Sequence, residues 1–264
     1  MTAMGRAMAL RAACALICSG MLLAADGASA GELAARDIVE RAHAAAGGAA
    51  WLAAGSNVMR GHATLCRDGD PARCVQADRY VMYRVYPTRL EHGAHAGSGK
   101  FRLDAYAGDK VLFMVAFDGE RWYDQNGVVP PERAASDEAS AFGFSAIRFA
   151  LQPGFAVERM TDDQVEGHPC HFVRVTDPTG TRTLFGIDQQ TYAVRSAGWQ
   201  TPKGFHQRLY SDFYKVGERF VQPGRVRHYY DGVKAVDIRW TSAEIGQPIP
   251  DATFVPGPGV KSGS

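Results

Sequence analysis

A few groupings in the sequence carry residue types that do chemistry. His92-x-x-His95 and His168-Pro-Cys-His171 have metal-like spacing. Zinc sites take three or four ligands. On a strand, His168 and Cys170 share one face while His171 points to the other, so that set converges on an ion only with a bend. His92 and His95 stand among Gly and Ala, as in a solvated loop. Asp68 and Asp70 loosely resemble the start of a calcium loop, without its third ligand or closing Glu. Asp162-Asp163 offers a carboxylate pair for acid–base work, but an exposed turn before Gln164 accounts for it better. Ser145, in Gly143-Phe144-Ser145-Ala146, lacks the second glycine of a nucleophile elbow. None of these is an enzyme signature, and the expectation is a protein without catalytic residues, bound metal or cofactor.

The cysteines need their compartment first. Arg6 and Arg11 precede an apolar run from Ala12 to Ala25, and Ala28-Ser29-Ala30 follows as a small-residue cleavage site. That order is a secretory signal peptide over residues 1–30. The run is too short for a span of about 20 apolar residues, and Ile17 before Cys18 does not suit a lipid-modified cysteine. Cleavage would leave Gly31 as the N-terminus of an exported, periplasmic chain. Cys66 and Cys74 bracket a turn-rich stretch between two strand-like runs. Cysteines at the ends of paired strands can meet the disulfide distance, and the bond persists outside the cytoplasm. The pair reads as a disulfide; two reduced thiols or a metal pair are the alternatives. Cys170 reads as a small buried apolar residue. The whole chain carries a formal charge of +1; removing Arg6, Arg11 and Asp26 leaves it near zero. No basic stripe points to nucleic acid, and no later segment reads as a membrane span.

The elements that must position these residues are mostly strands. Leu33 to Ala46 keeps helical spacing and stops at Gly47-Gly48; Ala49 to Ala54 makes a further turn around Trp51. From Asn57 the period changes to two. The predicted strands are Met59 to Leu65, Val75 to Tyr86, Thr88 to Glu91, Phe101 to Tyr106 and Val111 to Phe117, with Asp118-Gly119 as a hairpin turn into Arg121-Trp122-Tyr123. Val111 to Phe117 is apolar on both faces and needs two covers. A helix capped by Ser136 and loaded with Phe142, Phe144, Ile147, Phe149 and Leu151 interrupts the strands until Pro153-Gly154. They resume as Val157 to Val165, Cys170 to Thr176, Arg182 to Ile187, Tyr192 to Trp199, His206 to Tyr214, Arg219 to Val221, Val226 to Tyr230 and Val233 to Thr241. Strands at this spacing make a meander, sandwich or barrel. Residues 31–256 form one domain in this reading, and 257–264 a Pro/Gly/Ser-rich tail.

Three stretches resemble a known family. They are the helix Ile38 to Gly48 followed by Gly61; Val165-Glu166-Gly167-His168 with Phe172 to Val175 and Gly186 to Thr191; and Tyr210 to Tyr214 with Tyr230-Asp231-Gly232 and Pro250 to Pro256. Together they resemble the outer-membrane lipoprotein-sorting proteins of the LolA/LolB-like fold, over nearly the whole mature chain. The resemblance implies a mainly β fold: a single antiparallel, strongly curled sheet, an unclosed β-barrel, with helices covering its concave face and lipid held inside. The cysteine loop and the His-rich loop have no place in the family pattern.

On that basis the expected function is a periplasmic carrier for lipid or lipoprotein acyl chains, without covalent catalysis. Its partners would be a lipid or acylated lipoprotein and membrane-bound donor or acceptor proteins. Phe113, Met114, Trp122 and Trp199 are the candidate cavity residues; Phe142, Phe144, Ile147, Phe149 and Leu151 are the candidate lid. A partner-docking or envelope-sensing module of the same fold is the second reading, and an enzyme for a hydrophobic substrate the third.

Overall fold

The structure is a computed structural model and describes residues 33–87, 99–134 and 144–256. The expected signal peptide and tail, the strand expected over Thr88 to Glu91, His92, His95, the Ser136 cap and Phe142 lie outside the described residues, as does the side chain of Asp68.

The alternating sequence builds a single antiparallel sheet of 13 strands. The first meander comprises β1 (Ser56–Cys66), β2 (Cys74–Val85), β3 (Lys100–Ala107), β4 (Lys110–Phe117), β5 (Trp122–Asp124) and β6 (Gly127–Val128). The second comprises β7 (Ala156–Val165), β8 (His168–Thr176), β9 (Arg182–Asp188), β10 (Val194–Thr201), β11 (Gly204–Val216), β12 (Phe220–Tyr230) and β13 (Val233–Ile245). β13 pairs with β1 and joins the two meanders, so the edges are β6 and β7, which follow each other in the chain. The sheet is not closed, and residues 129–155 lead from one edge strand to the other.

The curl has a local cause at Gly61. The register slips between Arg60 and Gly61 against β13, and between Gly61 and Ala63 against β2. Such bulges bend a strand and raise its twist. A Cβ on Gly61 would lie 2.0 Å from the Arg239 carbonyl oxygen, so only glycine fits.

Helices α1 (Ala35–Ala46), α2 (Gly48–Leu52) and α3 (Ser145–Phe149) face the sheet. Ile38, Val39 and Ala42 of α1 are buried in one core with Trp51 and Ile147. Gly47 ends α1 at φ 132°, and a Cβ there would meet the Arg219 carbonyl oxygen at 2.4 Å. α3 is tied to this layer by hydrogen bonds. His43 Nε2 bonds the Ile147 carbonyl at 2.7 Å, Arg36 Nη2 donates to the Leu151 carbonyl at 3.2 Å, and Arg148 Nη2 donates to the Trp51 carbonyl. Among the described residues, no helix is long and apolar enough to cross a membrane.

The apolar strand β4 has its two covers. Leu112 and Phe113 pack against the main core, while Val111, Met114 and Ala116 cluster with Tyr123 and Tyr106. A register slip between Ala105 and Tyr106 falls between these groups. Cys66 and Cys74 pair across the end of β1 and β2 and are disulfide-bonded. Cys170 is buried and free.

Two strand expectations need correction, and one strand was not expected. Arg219 to Val221 and Val226 to Tyr230 are one strand, β12, running through Pro223. Proline breaks a ladder that needs its N–H, but β13 pairs with β12 only from Arg225 onward, so Pro223 stands where that side has no ladder. Tyr192 sits in a turn at φ 57°, and β10 starts at Val194. β6, only two residues long, has too short a run to show any period.

Candidate functional site

The concave face encloses a cavity of about 930 Å³, near the upper end of the roughly 300–1,000 Å³ typical of ligand pockets. Alternate residues of four strands make up much of its wall. β2 contributes Tyr80, Met82 and Arg84; β11 contributes His206, Arg208 and Tyr210. From β12 come Val226, His228 and Tyr230, and from β13 Val236, Ile238 and Trp240. Ala42, His43, Trp51, Ile147 and Arg148 line it from the helices. Most of this wall is aromatic or aliphatic, as a period of two requires when each strand presents one face inward.

Of the residues singled out in the sequence, Phe113, Met114, Trp122, Phe144 and Ile147 line the cavity. Phe144 stands edge-on to Phe185 at 6.4 Å and to Tyr210 at 5.2 Å, bridging core and cavity. Phe149, Leu151 and Trp199 are not in the lining. Phe149 is buried, Leu151 packs against the core, and Trp199 lies under the His206 ring at 4.7 Å.

The polar part of the site was not singled out in the sequence. Arg84 and Arg148 are both buried, yet both line the cavity. Arg148 is stacked between the Trp51 and Tyr86 rings, 4.1 Å from each centroid. Stacking suits a guanidinium because its N–H groups stay in the plane, free to bond at the edge. Arg84 Nη2 donates to Ser145 Oγ at 3.0 Å, and Arg208 Nε donates to His206 Nε2 at 3.0 Å. Since His206 Nε2 accepts, Nδ1 carries the proton of the neutral ring, and among the described residues Nδ1 has no partner.

Burial sets the protonation of these groups. It pushes the Arg84 guanidinium below its ordinary range, with Arg208 and Arg148 adding to the effect. Burial also lowers Arg148. His206 is pushed down to about 2 by burial, then by Arg208 and Lys203. His228 is held well below its ordinary value for the same first reason, and His43 is lowered too. The histidines are therefore neutral at pH 7. The Tyr210 hydroxyl is pushed up to about 12 by burial.

The other groupings have separate partners. His171 Nδ1 lies 3.1 Å from Asp162, and His168 Nδ1 lies 3.8 Å from Asp188. Burial pushes the Cys170 thiol up to about 11. Asp162 is held low by Arg159 and His171, against the desolvation that would raise it. Among the described residues, no three His, Cys, Asp or Glu side chains group as a metal site.

No family model and no curated protein sequence matches the chain. Solved structures do. A domain from Vibrio parahaemolyticus named for outer membrane lipoprotein sorting matches with a TM-score of 0.51 at 10% identity, covering 83% of this chain and 94% of its own. A DUF1329 family protein from Desulfovibrio piger matches with a TM-score of 0.52 at 11% identity, covering 83% and 95%. A LolA superfamily protein from Nitrosomonas europaea aligns over 85% and 99% at 11% identity, with a TM-score of 0.46. The first two establish the fold: an unclosed, curled sheet of the lipoprotein-sorting type. None of the three is named as an enzyme.

Proposed function

We propose that this chain is a periplasmic binding or carrier protein for a ligand bearing an acyl chain, and that it works without covalent catalysis. The observation that carries the reading is the cavity of about 930 Å³ inside the unclosed sheet, walled by side chains such as Met59, Met82, Leu103, Phe113, Tyr210 and Ile238. Each methylene moved from water into such a wall contributes about 0.8 kcal/mol, so a chain of ordinary length needs no further anchor to bind. The fold shared with the Vibrio parahaemolyticus domain supports the reading by analogy, and the sequence of residues 1–30 supports the periplasm. Release would require the cover to move, and the bonds of α3 to α1 and α2 are the ones that would have to part. The test is to purify the mature protein from a periplasm, extract it into organic solvent and identify the extract by mass spectrometry. An acyl-bearing molecule near one equivalent is expected. An empty extract, together with no uptake of added fatty acid, would leave a partner-docking module of the same fold as the better account.

A further inference from the structure

We infer that the ligand is an ester of its acyl chain, and that the Nδ1–H of His206 donates to the ester's carbonyl oxygen. This rests on the proposal that the cavity takes an acyl chain. It adds the group at the end of that chain and the end of the cavity where it lies.

The first argument is where the unmatched polar atoms are. Buried polar atoms in a folded chain nearly always have a hydrogen-bond partner, and each exception calls for one from outside the chain or for another explanation. Among the described residues, Asn57 Oδ1, Arg148 Nε, His206 Nδ1 and the hydroxyls of Tyr210 and Tyr214 are buried without a partner. All of these residues line the cavity. A ligand made of hydrocarbon alone would leave every one of these atoms out of water and unpaired, which is costly. A ligand that brings oxygen into the cavity would not.

The second argument is that His206 is held in place. Its ring lies 4.7 Å from Trp199 on β10, and 5.3 and 4.5 Å from His228 and Tyr230 on β12. Trp199 and Tyr230 are its direct cross-strand neighbours. Nε2 accepts from Arg208 Nε at 3.0 Å, which leaves the proton on Nδ1. The ring is 1% exposed, and burial keeps it neutral. A tyrosine hydroxyl turns its proton to suit, whereas an imidazole N–H stays in the plane of its ring. This donor therefore needs an acceptor brought to it. A hydrocarbon or ammonium end has no lone pair to offer. An ester carbonyl accepts without carrying a charge out of water, and it adds no donor that would need a partner of its own. The site also has a direction. His206 pairs with Tyr230 and Tyr230 with Val233, where β13 begins, while Asn57 pairs with Ile245, where β13 ends. His206 thus marks one end of the cavity, and the chain runs from it past Val236 and Ile238 towards Asn57.

The experiment removes the carbonyl from the ligand and the donor from the protein. Methyl dodecanoate, methyl dodecyl ether and dodecanoate each displace a neutral naphthylamine fluorophore from the mature protein. The ester and the ether have the same length and differ only by the carbonyl oxygen. The ester is expected to bind about tenfold more tightly, because the ether leaves the buried N–H poorly paired. The infrared carbonyl band of methyl dodecanoate, labelled with carbon-13 at that position, is expected at lower wavenumber in the complex than in hexane. His206→Phe keeps an aromatic ring and removes the donor. It should bring the ester-to-ether ratio below about threefold and return the band to its position in hexane, with a thermal melt run alongside. The ligand series and the infrared band of the parent protein stand even if His206→Phe does not fold. Equal binding of ester and ether with an unshifted band would overturn the inference and leave the acyl-chain reading in place. Dodecanoate bound more tightly than the ester would overturn it too. Binding of none of the three would overturn both.

Discussion

Phe144 separates a core residue from a cavity residue. It touches Phe185, which is fully buried, and Tyr210, which lines the cavity. Phe185→Ala should cost about 3–5 kcal/mol, the usual range for a packed aromatic. Phe144→Ala should cost clearly less, because one side of its ring already faces open space, yet it should weaken uptake of a fluorescent fatty acid at least fivefold. Thermal melts and titrations on the two variants check this. Equal losses of stability with unchanged uptake would make Phe144 an ordinary core residue. The residue scale is also where the sequence was least legible. Tyr80-x-Met82 was read as one strand face, and two further steps along it reach Arg84 and Tyr86. His206-x-Arg208-x-Tyr210 follows the same rule. Polar residues at every second position ordinarily mean a wet face; only the closure of the curl around them turns that face inward.

At the scale of elements, most strands and the first helix were legible because period two and period 3.6 are local properties. The two-sided β4 was legible for the same reason, and its apolar residues are shared among three clusters. What escaped depended on partners: β12 continues through Pro223 because β13 does not pair there. Two predictions belong here. The disulfide closes a loop with a sequence separation of 8, so replacing Cys66 and Cys74 by Ser should cost about 2–3 kcal/mol in chemical denaturation. Ligand uptake should be unaffected, since none of the described side chains between residues 62 and 79 lines the cavity. Loss of uptake at temperatures where the variant stays folded would mean the hairpin end takes part in binding. Gly61→Val should be far more severe, because its Cβ would meet the Arg239 carbonyl. Failure to fold, or a melting point lowered by more than 10 °C, is expected. A variant as stable as the parent would show that the bulge is not what curls β1.

For the molecule as a whole, stability should depend on pH through its buried histidines. His43, His206 and His228 have folded pKa values below the ordinary 6.5. The unfolded chain therefore binds more protons than the fold in mild acid. This contribution is complete above about pH 6.5 and is lost as the pH falls below it. The slope is up to about 1.4 kcal/mol per pH unit for each histidine that stays neutral. Asp188, held at about 2, and the lowered Glu166 and Asp237 act later, below about pH 4. Unfolding free energies measured from pH 7 to 5 should fall steadily, and His206→Asn should flatten that fall. A flat profile in the parent would contradict the burial of these rings in their neutral form.

The central claim is that the concave interior is where an acyl chain goes, and photocrosslinking tests it most directly. A fatty acid with a diazirine near its methyl end is bound to the mature protein, irradiated, and its attachment points are mapped by peptide mass spectrometry. The account predicts one equivalent of label on inward residues such as Met59, Met82, Phe113 and Ile238, abolished by excess unlabelled fatty acid. Label confined to exposed apolar residues such as Val128, Phe205 and Val233, or label that excess fatty acid does not displace, would contradict it.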